Sequence, residues 1–418
     1  MNYVIEKERK VPVSWRSDVI VAGGGVAGVA AAIAAARQGA KVLLIERYGQ
    51  LGGMATGGLI TVLLGYERYE FGLNKEIGEE ILNQKAAVLE VQATREWVED
   101  MGYTSIKRIK FDGEQMKYLL ERMLVDEGVE LLYHTYISKA IVEGGEVRGV
   151  ILESKAGRQA ALGKIVIDAT GDGDVFATAG AQYETEEHPW GLGLGHRFGG
   201  VDIDRAMKYM KDDVKRYAAL MDQLEKKIGV RYHWSPSARR GITLCMGPRL
   251  YNFNVLDPRD STRLEIRGKE IAMKALEFLR ENVPGFEDAF IVEFAPQFGI
   301  RVTRRLVGEY ILSTEEVKSG ARFDDAVVRS IYDVPYGCFV PKEIDGLLVA
   351  GRCISMAPGA DELRLIGPCI ATGEAAGVAA ALSVKHGVKP RALDIDVLQE
   401  ALQGKTLPKA EVAAAMRV

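Results

Sequence analysis

Two hydrophobic periods alternate along this chain, and the switches between them mark its elements. Residues 19–22 form a short unbroken apolar run, the pattern of a strand buried on both faces, and an alanine-rich stretch over 26–36 reads as a buried helix. A second unbroken run, Val42–Ile45, predicts another strand. Residues 76–84 have helical character, and 115–127 carry apolar residues at helical spacing with Gly128 as a stop. Strands are predicted over 129–136, 140–143 and 146–153, the last two joined by a hairpin turn at Gly144 and Gly145. A further buried strand, 164–170, runs into Gly171-Asp-Gly-Asp174. Beyond residue 184 the character changes to a glycine-rich connector at Gly191, Gly193 and Gly195, a charged amphipathic helix over 205–227, and strand-like segments around 243–256. Residues 331–341 lead back to a buried strand at 346–351, and a second alanine-rich helix covers 372–385.

The turn between the first strand and the first helix reads Gly23-x-Gly25-x-x-Gly28. There Gly23 makes the tight turn, Gly25 lets backbone approach a pyrophosphate, and Gly28 lets the helix pack close to the sheet. The helix N-terminus offers unpaired N–H groups and a partial positive charge to a phosphate. Glu46 ends the second strand, where a carboxylate accepts ribose hydroxyls and repels a 2′-phosphate. Strand, glycine turn, helix and acidic strand end in this order predict a dinucleotide-binding βαβ unit without preference for NADP.

The chain has 418 residues, more than a single core usually serves, so two interleaved domains are expected. A net charge of −4 argues against a general nucleic-acid binder. Four cysteines, Cys245, Cys338, Cys353 and Cys369, lie far apart, which disfavours a zinc site and a dithiol centre, and the five histidines show no metal-ligand spacing. No signal-peptide pattern precedes Asp18, and the apolar run at 26–36 is too short to span a bilayer. Reduced thiols and these absences lead to the expectation of a cytoplasmic protein without membrane or nucleic-acid partners.

Further along stand Glu46-Arg47-x-x-x-Leu-Gly-Gly53-Met54-Ala55-Thr56, Ile167-Asp-Ala169-Thr170-Gly171-Asp-Gly-Asp174, the segment from Gly299 to Tyr310, and Val349-Ala-Gly351-Arg352-Cys353 with its following helix. With these motifs the chain resembles, over nearly its whole length, the FAD-dependent oxidoreductases of the glutathione-reductase-like fold, distantly similar to fumarate reductase flavoproteins. The resemblance implies an α/β fold: a Rossmann FAD-binding domain from 1–185 and 335–418, and an inserted α+β substrate or cap domain from 186–334, to which 60–110 is a candidate contributor. It implies that Gly23, Gly25, Val26, Ala27 and Gly28 hold the pyrophosphate and Glu46, followed by Arg47, the adenosine ribose. The loop from Gly52 to Gly58, with Gly53, Met54, Ala55 and Thr56, would pass along the flavin, Ile137 touch adenine through its backbone, and Ala169, Thr170 and Gly171 run close to the cofactor. The helix starting near Gly367, with Cys369 and Ile370, would point its N-terminus at the flavin ring; Gly351 and Arg352 stand where many flavoproteins have Gly-Asp, so the ribityl contact of that Asp is not carried over. With Met54 in the loop, where covalent attachment needs His, Cys or Tyr, noncovalent FAD is expected.

Flavin carries the redox chemistry, and the protein places the substrate and stabilises charge. Arg364 resembles the arginine that clamps a substrate carboxylate in fumarate reductase flavoproteins, against the alternative of an ion pair with Asp361 or Glu362. Arg301, Arg304 and Arg305 would share one helical face, serving either substrate or a structural network with Glu309. His188, His196 and His233 are proton-transfer candidates, His196 foremost because the connector would lie over the flavin face, against the reading as surface or packing residues. Cys353 and Cys369 are read first as packing residues. The expected activity is hydride exchange between flavin N5 and a small polar or carboxylate-bearing molecule. Two alternatives stand beside it: a synthase of the thiazole-synthase type that binds NAD, for which Cys245 is the available cysteine in the inserted part, and a non-catalytic FAD-holding subunit of an electron-transfer complex. The electron acceptor and homo-oligomerisation are left open.

Overall fold

A computed structural model describes residue 4 and residues 8–93, 105–185 and 191–403. A seven-stranded sheet lies at the centre, in the order Glu130–Leu132, Val42–Ile45, Val13–Ala22, Gly157–Asp168, Glu146–Ser154, Tyr136–Glu143, with Leu347–Val349 also paired to Gly157–Asp168. The pairs from Glu130–Leu132 through Gly157–Asp168 are parallel. On the edge away from Val13–Ala22, the long strand Gly157–Asp168 serves two neighbours: its first half pairs antiparallel with the hairpin strand, and Val166, Ile167 and Asp168 pair parallel with Leu347–Val349. This is a mixed α/β fold in which the last part of the chain completes a sheet begun by the first.

Two helices cover the sheet, Val26–Arg37 and Ile366–His386. Their backbones touch. A Cβ on Gly373 would lie 2.1 Å from the Ala27 carbonyl oxygen, and one on Gly377 would lie 2.2 Å from that of Ala31, so only glycine permits this approach. Ile366–His386 is long and apolar enough to cross a membrane by length and composition, but it is buried in the core.

The hydrophobic cores divide the chain differently from the expected boundaries. The first takes residues from both ends, including Val21, Ile33, Val166, Leu348 and Ala376, and the second is built from Leu192 to Ala289. Residues 304–334, grouped on sequence grounds with the insertion, instead contribute Leu306, Leu312, Val327 and Val328 to the first core. Residues 60–110 likewise pack Leu63, Ile77 and Ile109 there, partly through a three-stranded sheet of Val62–Leu64, Ala87–Ala93 and Ser105–Phe111.

Several elements depart from the sequence expectation for local reasons. The strand predicted over 129–136 is broken at His134, whose φ of +52° takes the chain out of the extended region. The chain then crosses from one edge of the sheet to the other, which sets residues 135–137 across the carboxyl ends of the parallel strands. The helix predicted over 205–227 is two, Ile203–Asp212 and Val214–Ile228, because Asp213 leaves helical geometry and accepts a hydrogen bond from Arg216 N as a cap. Residues 304–306 form a strand paired with Tyr183–Thr185, so Arg301, Arg304 and Arg305 do not share a helical face. The 25-residue helix Pro258–Asn282, unforeseen in the sequence, begins at an Asp257 cap with Pro258 at its first position.

Candidate active site

A cleft opens at the carboxyl ends of the parallel strands, the place where open α/β sheets bind ligands. It encloses about 1060 Å³ of empty space, counted with its open mouth. At its floor, Gly23 adopts φ +99°, and a Cβ there would lie 2.6 Å from the Ala169 carbonyl oxygen. A Cβ on Gly25, in contrast, would meet only Gly53 Cα, at 3.9 Å, so the backbone here faces open space. The helix Val26–Arg37 starts at Gly25 with no side-chain cap and no acidic residue in its first turn. Ile366–His386 starts in the same way, and its Ile366 and Cys369 line the same cleft. Two helix N-termini thus offer partial positive charge to one cavity.

Glu46, buried at the end of its strand, accepts hydrogen bonds from Gly24 N at 2.7 Å and Tyr48 N at 2.8 Å, which fix its carboxylate beside the glycine turn. Asp168 ends the neighbouring strand fully buried, accepting from Thr170 N, Thr170 Oγ1, Val175 N and Phe176 N. Burial pushes its carboxyl up to about 6, against the pull of these hydrogen bonds. Its role is to shape the turn Ala169-Thr170-Gly171 and to cap the helix Asp174–Ala179.

Most residues singled out from the sequence meet in this cleft. Gly23, Gly25, Val26, Ala27, Glu46, Arg47, Gly53, Met54, Ala55, Ile137, Ala169, Thr170, Gly171, Gly351, Arg352, Cys369 and Arg364 line it. Four others lie beside it. Gly28, in the first turn of the helix Val26–Arg37, is pressed against the glycine turn, where a Cβ would sit 1.9 Å from the Gly23 carbonyl oxygen. Thr56 is buried with its hydroxyl bonded to the Leu51 carbonyl. Gly367 accepts from Asn74 Nδ2 at 2.8 Å, and Ile370 lines a small apolar cavity behind the cleft.

Two catalytic candidates are placed elsewhere. Arg301 donates from Nε to the Gly191 carbonyl oxygen at 3.0 Å and does not line the cleft. Gly191 itself leads into Leu192–Gly193, a short strand paired with Arg249–Leu250, so part of the glycine-rich connector is sheet. His196 is fully buried among Phe198, Tyr232 and Phe294, with Nε2 against the Tyr232 hydroxyl and Nδ1 3.1 Å from the Leu194 carbonyl oxygen. His188 lies outside the described residues.

Burial pushes the His196 imidazole down from 6.5 to about 4, so it stays neutral in the fold where the unfolded chain would be protonated. The stability it contributes is present above about pH 6.5 and is lost as pH falls toward 4, by roughly 3 kcal/mol at ~1.4 kcal/mol per pH unit. Denaturant unfolding at pH 7 and pH 4 should show this loss in the native protein and not in His196→Gln. An equal loss in the variant would contradict it.

The other charged candidates are tied into the fold. Glu309 pairs with Arg391 at 2.6 Å and not with Arg305, which donates to the Met356 carbonyl oxygen at 2.8 Å. Arg304 donates to the Asp172 carbonyl oxygen at 2.9 Å and to Asp174 Oδ1 at 3.1 Å. Glu362, one alternative partner of Arg364, forms a buried pair with Arg68 at 2.6 Å; the side chain of Asp361, the other, lies outside the described part. Burial pushes the Cys369 thiol up to about 12, so it is not a thiolate in the cleft.

Gly52, at the start of the flavin-facing loop, lines the cleft as well; Tyr48, Gln50, Thr135, Tyr136, Asp174, Gln297, Ala350 and Ile366 also line it and were not singled out. Tyr48, Tyr136, Ala350 and Ile366 each flank a residue that was. Gln297 is different: it comes from the loop after the strand Phe290–Phe294, where no periodicity or motif marks it, and its N–H reaches the Gly57 carbonyl oxygen at 3.4 Å.

The sequence profile of a family described as FAD dependent oxidoreductase matches residues 18–332 and 329–402. The chain belongs to this family. It is therefore an enzyme, an FAD-dependent oxidoreductase. This oxidoreductase is 31% identical over 179 residues to digeranylgeranylglycerophospholipid reductase 1 of Methanopyrus kandleri, a match covering 39% of the chain and 42% of that protein. It is 29% identical over 181 residues to thiamine thiazole synthase of Methanococcus aeolicus, covering 40% of the chain and 60% of that protein. Each match thus spans less than two thirds of the relative. Among solved structures, p-nitrophenol 4-monooxygenase PnpA from Pseudomonas putida aligns over 96% of the chain and 93% of its own at a TM-score of 0.54 and 14% identity, a likeness of fold.

The residues present fit the family's cofactor. Gly25 leaves backbone open where a diphosphate needs close approach. Arg352 lines the cleft, and its Nη1 is buried with no hydrogen-bond partner among the described residues, a nitrogen that an anionic ligand would satisfy.

Proposed function

We propose that FAD binds noncovalently in this cleft, in the glutathione-reductase-like manner, and that the enzyme exchanges a hydride with a small polar or carboxylate-bearing substrate held by Arg364. The observation that carries the reading is that Arg364 lines the same cavity as Gly25, just before the helix whose N-terminus opens on it. When bound, FAD supplies the two-electron chemistry. Gly23, Gly25, Val26 and Ala27 bind the diphosphate through backbone N–H groups and the helix N-terminus, and Glu46 accepts the ribose hydroxyls. The residues 135–137, crossing the strand ends, bound the adenine, with Ile137 offering its backbone. Gly53, Met54 and Ala55 run along the flavin ring. Arg364 orients a substrate carboxylate through its planar fork, and Gln297, reaching in from the loop after Phe290–Phe294, adds an amide at the same cavity.

The thiazole-synthase alternative is less well supported despite the similarity to such an enzyme. It relies on a reactive cysteine or metal-binding residues in the inserted part; Cys245 is fully buried there, its thiol pushed up to about 11 by burial, and no cluster of three or more His, Cys, Asp or Glu that could hold a metal occurs among the described residues. Anaerobic addition of hydroxy acids, amino acids, amines and sugars to the yellow protein tests the proposal. Bleaching by carboxylate-bearing compounds is expected, and bleaching only by compounds lacking a carboxylate or other polar anchor would overturn it.

A further inference from the structure

Arg352 occupies a built site that the proposed substrate chemistry does not use. Its side chain is 11% exposed and lines the cleft next to Gly351, whose would-be Cβ lies 2.9 Å from Ala27 Cβ in the first turn of the Val26–Arg37 helix. Nη2 donates to Asp172 Oδ1 at 2.7 Å, and Thr303 Oγ1 donates to the same oxygen at 2.8 Å. Burial pushes the Asp172 carboxyl up, but the Arg352 charge and these hydrogen bonds outweigh it and hold the carboxyl below its usual value. The ion pair is therefore made. Gly171, at φ +76°, makes room for it: a Cβ there would lie 2.7 Å from Arg352 Nε. What this anchoring leaves over is Nη1, buried and without a partner among the described residues.

A guanidinium nitrogen left unsatisfied in the interior is costly, and an arginine held by one carboxylate is pre-set to receive a second anion. The glycine turn and helix N-terminus at Val26 and Ala27, an anion-receptive feature, line the same cleft, and Gly351, next to Arg352, packs against Ala27. We propose that Arg352, positioned by Asp172, is the side-chain cation that binds the diphosphate of the nucleotide. The helix N-terminus contributes only partial charge to two phosphates, and Arg352 contributes a full one. At the position where a ribityl-binding aspartate stands in many flavoproteins, this chain thus carries a diphosphate ligand of opposite charge. The inference rests on the reading of the cleft as the FAD site and not on the nature of the substrate.

The test uses the full chain carrying FAD. The protein is diluted, flavin release is followed by its fluorescence, and ADP or adenosine is added as a competing ligand. In Arg352→Met the dissociation constant for FAD should rise about 10- to 100-fold, the range of a charge-assisted hydrogen bond. ADP should lose competing strength by the same factor, while adenosine, which has no phosphate, should compete as in the native protein. Because Arg352→Met leaves Asp172 buried without its cation, the double variant Arg352→Met/Asp172→Asn removes both charges and should give the same ratio if the single variant does not fold. Equal losses for ADP and adenosine, or no change for ADP, would overturn the assignment. A substrate that fails to bleach the flavin would count against the proposed reaction and leave this result untouched.

Discussion

Gly25→Ala is expected to yield a folded protein that has lost its FAD. The added methyl would meet only Gly53 Cα, at 3.9 Å, an ordinary contact, and Gly25 has φ −67°, open to any residue. Replacing glycine there lowers the entropy of the unfolded chain, so thermal stability without cofactor should hold or rise slightly, by up to about 1 kcal/mol. The methyl instead fills the approach to the backbone N–H groups at the helix start. Losing two such contacts to a charged diphosphate, at about 1.5–3 kcal/mol each, weakens FAD by at least roughly 100-fold. Gly28→Ala, three residues on, should do the opposite. Its methyl would fall 1.9 Å from the Gly23 carbonyl oxygen, and backbone cannot yield cheaply, so the fold should lose about 3 kcal/mol despite the better helix propensity of alanine. Flavin content and denaturant unfolding of the two variants separate these roles. Equal destabilisation by both substitutions would contradict the division of labour within the turn.

Removing the Arg364 guanidinium should have the largest effect on chemistry. Arg364 lines the cleft beside the helix that begins at Ile366, and a carboxylate held there loses its bidentate donor in Arg364→Met. Flavin reduction by a carboxylate substrate should slow by roughly 10²- to 10³-fold, as for loss of a preorganised donor at a developing charge. Arg364→Lys keeps the charge without the fork and should recover part of the rate. FAD content should stay unchanged in both. Stopped-flow reduction under anaerobic conditions measures this, with a neutral analogue of the substrate as control. Equal slowing for the neutral analogue would mean that Arg364 shapes the cleft and does not bind the carboxylate.

The parts of the fold that the sequence reveals are those with strict local rules. The unbroken run at 19–22, the spaced glycines and the acidic strand end at Glu46 leave little freedom, and Gly23, Gly25 and Glu46 meet in one cleft. The C-terminal helix is legible for the same reason, since its alanine-rich run favours a helix whatever it packs against. Local rules failed where long-range pairing decides. Arg301, Arg304 and Arg305 have helical spacing, but residues 304–306 pair with Tyr183–Thr185 as a strand, and each guanidinium then finds its own partner. Pro258–Asn282 is hard to read from sequence because its charged residues surround a narrow apolar stripe that packs against the second core. His196 looked like a catalytic base from its glycine-rich neighbourhood, yet the strand His196–Gly199 turns it into an aromatic core. Gln297 was invisible because its approach to the cleft depends on the docking of two loops distant in sequence.

The central claim, that this cleft holds noncovalent FAD, is tested most directly by the visible absorption spectrum of the purified protein, repeated on the supernatant after acid precipitation. The account predicts flavin bands that appear in the supernatant as intact FAD. Colour retained in the pellet would show a covalent link and contradict the reading of the Met54 loop. A folded, colourless protein that releases NAD or an adenylated fragment would contradict the assignment of the cleft to FAD.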